Sequence, residues 1–135
     1  MKAFLDSNIF IYSFLNQDVA KKSIAAKIVA QSVRDRNGYV SLQVANEFCN
    51  VMTKKSAKTA DEISQALLVL DKLNFVQAST VTVRKALEIK ERYNIQFYDA
   101  LIVAAAVASG CDLILTEDLN DGQMYCGIKV VNPFK

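Results

Sequence analysis

The chain has 135 residues, 52% of them hydrophobic, and 16 Lys and Arg against 14 Asp and Glu leave a net charge of +2. That length and apolar content suit one compact domain with a real core, expected over residues 1–135. The lack of any histidine excludes Ser-His-Asp and Cys-His nucleophiles and the common zinc sites that need imidazole, and the balanced charge provides no global basic field for nucleic acid.

In chain order, Lys2 to Leu5 is a short apolar run that predicts a first strand, followed by a helix through Ile9, Phe10, Ile11, Phe14 and Leu15, with Asp6 at the junction. A second helix is expected from about Val19 to Arg36, with Ile24, Ile28 and Val29 facing inward and Asn37-Gly38 as its terminator. Tyr39-Val40-Ser41 reads as a very short strand. Leu42 to Lys55 carries Val44, Phe48, Val51 and Met52 at helical spacing, and Glu47 falls on that same apolar face. Thr59 and Glu62 have the spacing of a capping box, ahead of a stripe made by Ile63, Ala66, Leu67 and Leu70.

Phe75 to Ala78 predicts a third strand. A helix then begins after Ser79 or Thr80 and runs to Tyr93, with Val83, Leu87 and Ile89 as its apolar residues and the basic residues largely outward. Phe97 to Ser109 is apolar nearly all round, the pattern of a helix enclosed by protein, with Asp99 in its first turn and Gly110 closing it. Leu113-Ile114-Leu115 reads as a fourth strand, Thr116 to Gly127 as a loop, and Lys129 to Val131 as a last strand. Strands separated by helices predict an α/β fold, a three-layer α/β/α sandwich around a central parallel sheet. Ligands of such sheets bind beyond the carboxyl ends of the strands, where Asp6 and Asp118 both fall.

Cys49, Cys111 and Cys126 are odd in number and form no CxxC pair, so they read as buried or incidental thiols in a reducing cytoplasm. Asp6 and Asn8 interrupt the N-terminal apolar run too early for a signal peptide. The longest aliphatic stretch, Ala100 to Ala108, is about half of a bilayer span, so no membrane association is expected. Lysines and arginines gather at Lys21, Lys22 and Lys27, at Lys54, Lys55 and Lys58, and at Arg84, Lys85, Lys90 and Arg92; solvated helix faces explain such groups more often than phosphate contacts do.

Four acids stand out: Asp6 ending an apolar run, Glu47 and Asp99 inside apolar helical segments, and Asp118 just past another apolar run. Each has a structural explanation. Asp6 can cap a helix, Asp99 can complement a helix dipole, and Asp118 can stabilise the turn Glu117-Asp118-Leu119-Asn120. Glu47 can sit at the stripe's edge or pair with a Lys or Arg, since a buried unpaired Glu is costly. Asp121 reads as loop chemistry around Gly122, and Tyr12, Tyr93 and Tyr98 as core or rim aromatics rather than base-stacking platforms. Taken together the four acids suggest a different chemistry. Gathered by the fold they would repel, some would hold protons at abnormally high pKa, and magnesium or manganese would relieve the conflict by bridging carboxylates to phosphate oxygens.

The matching pieces Phe4-Leu5-Asp6-Ser7-Asn8, Val44-Ala45-Asn46-Glu47-Phe48, Phe97-Tyr98-Asp99-Ala100-Leu101-Ile102 and Leu115-Thr116-Glu117-Asp118-Leu119 make the chain resemble a PIN domain, and within that superfamily a VapC-type toxin. Asp121-Gly122-Gln123 through Asn132-Pro133-Phe134 matches as well, so the resemblance spans essentially the whole chain. It implies that Asp6, Glu47, Asp99 and Asp118 form an acidic site for magnesium or manganese, with Asn8 and Thr116 orienting ligands or water beside it. The implied activity is hydrolysis of an RNA phosphodiester to a 5′-phosphate and a 3′-hydroxyl, by a homodimer blocked by a cognate antitoxin. A PIN-like module that binds RNA or protein without cleaving is the rival. Other acidic-pocket folds fit less well. Asp6-Ser7-Asn8 lacks both the paired acids of a phosphoacceptor receiver and the Asp-x-Asp of a haloacid-type phosphatase, and no GxG occurs for a dinucleotide.

Overall fold

Ala3, Phe4 and Leu5 are all buried, as expected of a strand enclosed on both faces of a parallel sheet, and this first strand, β1 (Ala3–Leu5), lies centrally in the molecule. The computed structural model describes residues 1–135. After β1 come helices α1 (Ser7–Phe14) and α2 (Val19–Asp35), strand β2 (Gly38–Val40), and helices α3 (Leu42–Lys55) and α4 (Ala60–Leu70). Strand β3 (Asn74–Phe75) leads to α5 (Thr80–Tyr93), α6 (Phe97–Ala108) and β4 (Leu113–Leu115), and a hairpin of β5 (Met124–Tyr125) and β6 (Ile128–Val131) completes the sheet. The sheet order is β3-β2-β1-β4-β6-β5, parallel throughout except for the β5–β6 pair. The six helices around this mostly parallel sheet form the expected α/β/α sandwich. Helix α1 packs on α2 and α3, α3 on α4, and α5 on α6.

Successive strands are added on one side of β1 up to β3, and the chain then crosses to the other side with β4. The loops leaving β1 and β4 therefore diverge at adjacent strand ends, the kind of crevice where parallel sheets bind ligands. Thirty buried residues form one hydrophobic cluster beneath it, including Phe4, Phe10, Phe48, Ile114 and Tyr125.

Several expectations are corrected by packing. Ile24 is exposed on α2, where Ala25 is buried in its place and Val29 is buried as expected. On α5 the buried positions are Thr82, Ala86 and Ile89, while Val83 and Leu87 face outward. The third strand is only the pair Asn74–Phe75, and the span expected as a loop from Thr116 to Gly127 contains β5. That hairpin turns on Cys126 and Gly127, both at positive φ (52° and 81°), as a two-residue primed turn requires. A cysteine at the first turn position hides the signal. No helix is long and apolar enough to cross a membrane.

Gly38 has a different role from the expected helix stop. Helix α2 already ends with Arg36 in the left-handed conformation, and Gly38 begins β2, where an added Cβ would lie 2.7 Å from Ser32 Cβ and 2.9 Å from Leu73 Cδ2. Gly38→Ala should therefore destabilise the protein by about 1–3 kcal/mol through overpacking, measured as a lower urea midpoint at unchanged m-value.

Candidate metal centre

Asp6 sits where β1 ends, 5% exposed, and serves as the N-cap of α1. Its Oδ1 accepts the Ser7 N–H at 2.7 Å and its Oδ2 accepts the Thr116 hydroxyl at 2.7 Å. Both contacts follow from topology: β1 and β4 are hydrogen-bonded neighbours in register from Ala3↔Leu113 to Leu5↔Leu115, so the next residues, Asp6 and Thr116, emerge side by side. Thr116 is fully buried. Its Oγ1 also accepts the Asp118 N–H at 3.1 Å and an Asn8 Nδ2 hydrogen at 3.3 Å. Asn8 Nδ2 reaches Asp118 Oδ2 at 3.2 Å. Asp6, Asn8, Thr116 and Asp118 thus form one hydrogen-bonded group across the ends of β1 and β4.

Glu47 and Asp99 approach the same group from α3 and α6. Gln43 Nε2 donates to the Tyr98 carbonyl at 3.1 Å, which ties the start of α3, one helical turn before Glu47, to the start of α6, at the residue just before Asp99. Burial, and after it the charge of neighbouring acids, raises the pKa of Glu47, Asp6 and Asp99. Burial pushes the Glu47 carboxyl up to about 7, and the charge of Asp6, then those of Asp118 and Asp99, add to it. Burial lifts Asp6 to about 6 against the hydrogen bonds from Thr116 and Ser7, and the charges of Asp118 and Asp99 contribute further. Asp99 is raised by burial and by Asp118.

No basic side chain offsets this charge. Two ion pairs form in the molecule, Lys21–Glu117 and Lys85–Glu88, and neither includes Asp6, Glu47, Asp99 or Asp118. The structural explanation of Glu47 as half of a buried salt bridge is thereby removed. Glu47 Oε1 and Asn8 Oδ1 are buried with no hydrogen-bond partner, which is costly for oxygens that water does not reach. Two orphaned oxygens beside mutually repelling carboxylates have the chemistry of an all-oxygen donor set for a hard divalent cation. In this conformation no three acidic side chains stand close enough to enclose an ion, so side-chain adjustment would accompany binding.

One neighbouring group was not legible beforehand. Glu117, between Thr116 and Asp118, accepts hydrogen bonds from Tyr12 Oη at 2.6 Å and Lys21 Nζ at 3.0 Å. Sequence alone offers no signal for it, because a loop after a strand does not indicate which way Glu117 turns relative to Thr116 and Asp118. An apolar cavity of about 420 Å³ lined by Phe14, Val29, Val33 and Val69 lies apart from the acids and contains none of them.

The PIN domain family model matches residues 3–120, an interval that contains all four acids. No curated protein matches the sequence. Among solved structures the chain is similar to a toxin-antitoxin complex from Klebsiella pneumoniae, with a TM-score of 0.69 and 19% identity over 98% of each chain. It is also similar to VapBC2 from Rickettsia felis bound to a DNA fragment from their promoter, with a TM-score of 0.68 and 17% identity over 96% of this chain and 97% of that one. The sarcin-ricin loop cleaving toxin VapC20 of Mycobacterium tuberculosis gives a TM-score of 0.66 and 16% identity over 95% of this chain and 99% of that one. At such identities the likeness speaks for the fold, and with the family model matched over most of its length the chain belongs to the PIN domain family.

Proposed function

We propose that the protein is a magnesium- or manganese-dependent endoribonuclease that hydrolyses RNA phosphodiester bonds, and that it is the toxin of a VapBC-type pair, acting in the cytoplasm as a homodimer held in check by a cognate antitoxin. The observation that supports this most is the uncompensated charge at the ends of β1 and β4. Asp6, Glu47 and Asp99 are pushed above the usual carboxylate range with no Lys or Arg paired to them. A fold that kept such a cluster for stability alone would have neutralised it.

Asp6, Glu47, Asp99 and Asp118 would hold the ion, which when bound supplies positive charge for the scissile phosphate and activates water for in-line attack. The chain's own residues prepare that site. Thr116 donates to Asp6 Oδ2 and accepts from the Asp118 backbone, so it fixes the spacing of two acids that come from different strands. Asn8 holds Asp118 Oδ2 through its amide nitrogen and keeps its own carbonyl oxygen unpaired, available to accept a hydrogen bond from water or substrate. The toxin assignment draws support from the toxin-antitoxin complexes among the structural neighbours.

Incubating purified protein with total RNA, with and without chelator, tests the reading. New RNA ends bearing 5′-phosphates should form with magnesium or manganese and vanish with chelator. RNA that binds but stays intact under both conditions would point instead to a silent PIN-like binding module and sink the nuclease assignment.

A further inference from the structure

Glu117 lies between two residues of the candidate site and is gripped by a set of side chains to which that site gives no role. Tyr12 Oη donates to Glu117 Oε1 at 2.6 Å, Lys21 Nζ donates to Oε2 at 3.0 Å, and Lys21 Nζ also donates to Tyr12 Oη at 3.2 Å. The three side chains close a hydrogen-bonded triangle. The ammonium lies 4.7 Å from the Tyr12 ring centroid and 5.5 Å from that of Phe134, and the two rings meet edge to face at 5.0 Å. Phe134 is itself anchored, because its N–H donates to Asn132 Oδ1 at 2.9 Å and the Asn132 N–H donates to Asp121 Oδ1 at 2.8 Å. Helices α1 and α2 therefore meet the loop after β4 at one carboxylate, and the segment after β6 packs against the two side chains that hold it.

A fifth carboxylate beside four mutually repelling acids adds to an unfavourable field unless it is neutralised, and Lys21 neutralises it. An isolated, partly exposed ion pair adds little to stability. This one instead joins α1 and α2 to the turn that carries Thr116 and Asp118. We propose that Glu117 is a positioning residue: held by Tyr12 and Lys21, it fixes the backbone of the Thr116–Asp118 turn beside Asp6, the footing from which the Asp118 side chain would adjust onto a divalent ion. The inference rests on the nuclease reading and deepens it. Partners one bond removed from the ligands set ligand orientation, and their loss commonly weakens metal affinity or activity by about 10- to 100-fold.

Manganese titration calorimetry and RNA cleavage kinetics on the full chain test this, with Glu117→Gln, Tyr12→Phe and the Asp99→Asn control. Glu117→Gln leaves the ring contacts and the side-chain volume in place but gives Lys21 no charge to hold. Tyr12→Phe keeps the aromatic edge and removes only the hydroxyl. Each should weaken manganese binding or lower kcat by about tenfold, with KM for RNA unchanged within about twofold. The double variant should be no worse than the weaker single one, since both break one clamp. Manganese affinity and kcat at wild-type values in Glu117→Gln, or additive losses that merely follow the melting temperature, would overturn the positioning role and leave the nuclease reading intact. If the wild type shows no manganese binding that Asp99→Asn removes, the nuclease reading falls and this inference falls with it.

Discussion

Asn in place of Asp99 should give a folded protein that no longer binds manganese and cleaves RNA at least about a hundredfold more slowly. The side chain is half-buried at the start of α6, and its pKa is raised by burial and by the charge of Asp118. Exchanging it for a neutral amide of the same shape removes one charge from the cluster and one donor from the proposed ion, and leaves the helix packing untouched. Stability without metal should hold or rise, because like-charge repulsion is relieved. Some loss is expected from the missing acid in the first turn of α6, where the helix dipole favours negative charge by about 0.3–1 kcal/mol. The two variants therefore separate by protection: magnesium should raise the melting temperature of the wild type and leave that of Asp99→Asn unmoved. Equal magnesium protection of both proteins would rule out Asp99 as a ligand, and retained cleavage would rule out the mechanism.

How far the sequence could be read depended on whether the deciding contacts were local. Helix α3 was legible from Leu42 to Lys55 because Val44, Phe48 and Met52 repeat at helical spacing and are buried together, whereas Ser41, read as the end of a strand, is its N-cap. The Thr59–Glu62 capping box was legible for the same reason, and both reciprocal hydrogen bonds form. On α5, by contrast, Val83, Leu87 and Ile89 were expected as the apolar residues, yet only Ile89 of these is buried, and the tertiary arrangement against α6 buries Thr82 and Ala86 with it. At the candidate site, apolar context marked Glu47 and strand ends marked Asp6 and Asp118, so composition and order were enough to single out the acids. Their hydrogen-bond partners were a different matter. That Asp6 would meet Thr116 depends on β1 and β4 being neighbours, across 110 residues, and the Tyr12–Glu117 contact spans 105. No window of sequence contains either pair.

Metal-free protein should lose stability as pH rises from about 4 to about 7, opposite to the acid denaturation common among proteins with salt-bridged carboxylates. Folding moves the Glu47 carboxyl from 4.5 to about 7 and the Asp6 carboxyl from 3.8 to about 6. In both cases the folded state holds the proton more tightly than the unfolded chain does. Their contribution is therefore fully present below the unfolded values and is lost as pH climbs through the folded ones. Glu47→Gln cannot ionise, so its melting temperature should vary less between those limits and exceed that of the wild type near pH 8. The gain should be about 1–2 kcal/mol, less than the full shift at 1.36 kcal/mol per unit, because Glu47 is only half-buried and solvent screens part of the repulsion. Adding magnesium near pH 8 should reverse the order, stabilising the wild type through binding to its ionised acids and doing little for Glu47→Gln. Cleavage by Glu47→Gln should be absent at every pH, so the variant that is sturdier without metal is the one that has lost the activity. Thermal melts of both proteins across this range, with and without magnesium, check each step. A flat wild-type profile without metal would mean that Glu47 and Asp6 ionise as ordinary surface acids, and the cluster would then have no strain for a cation to relieve.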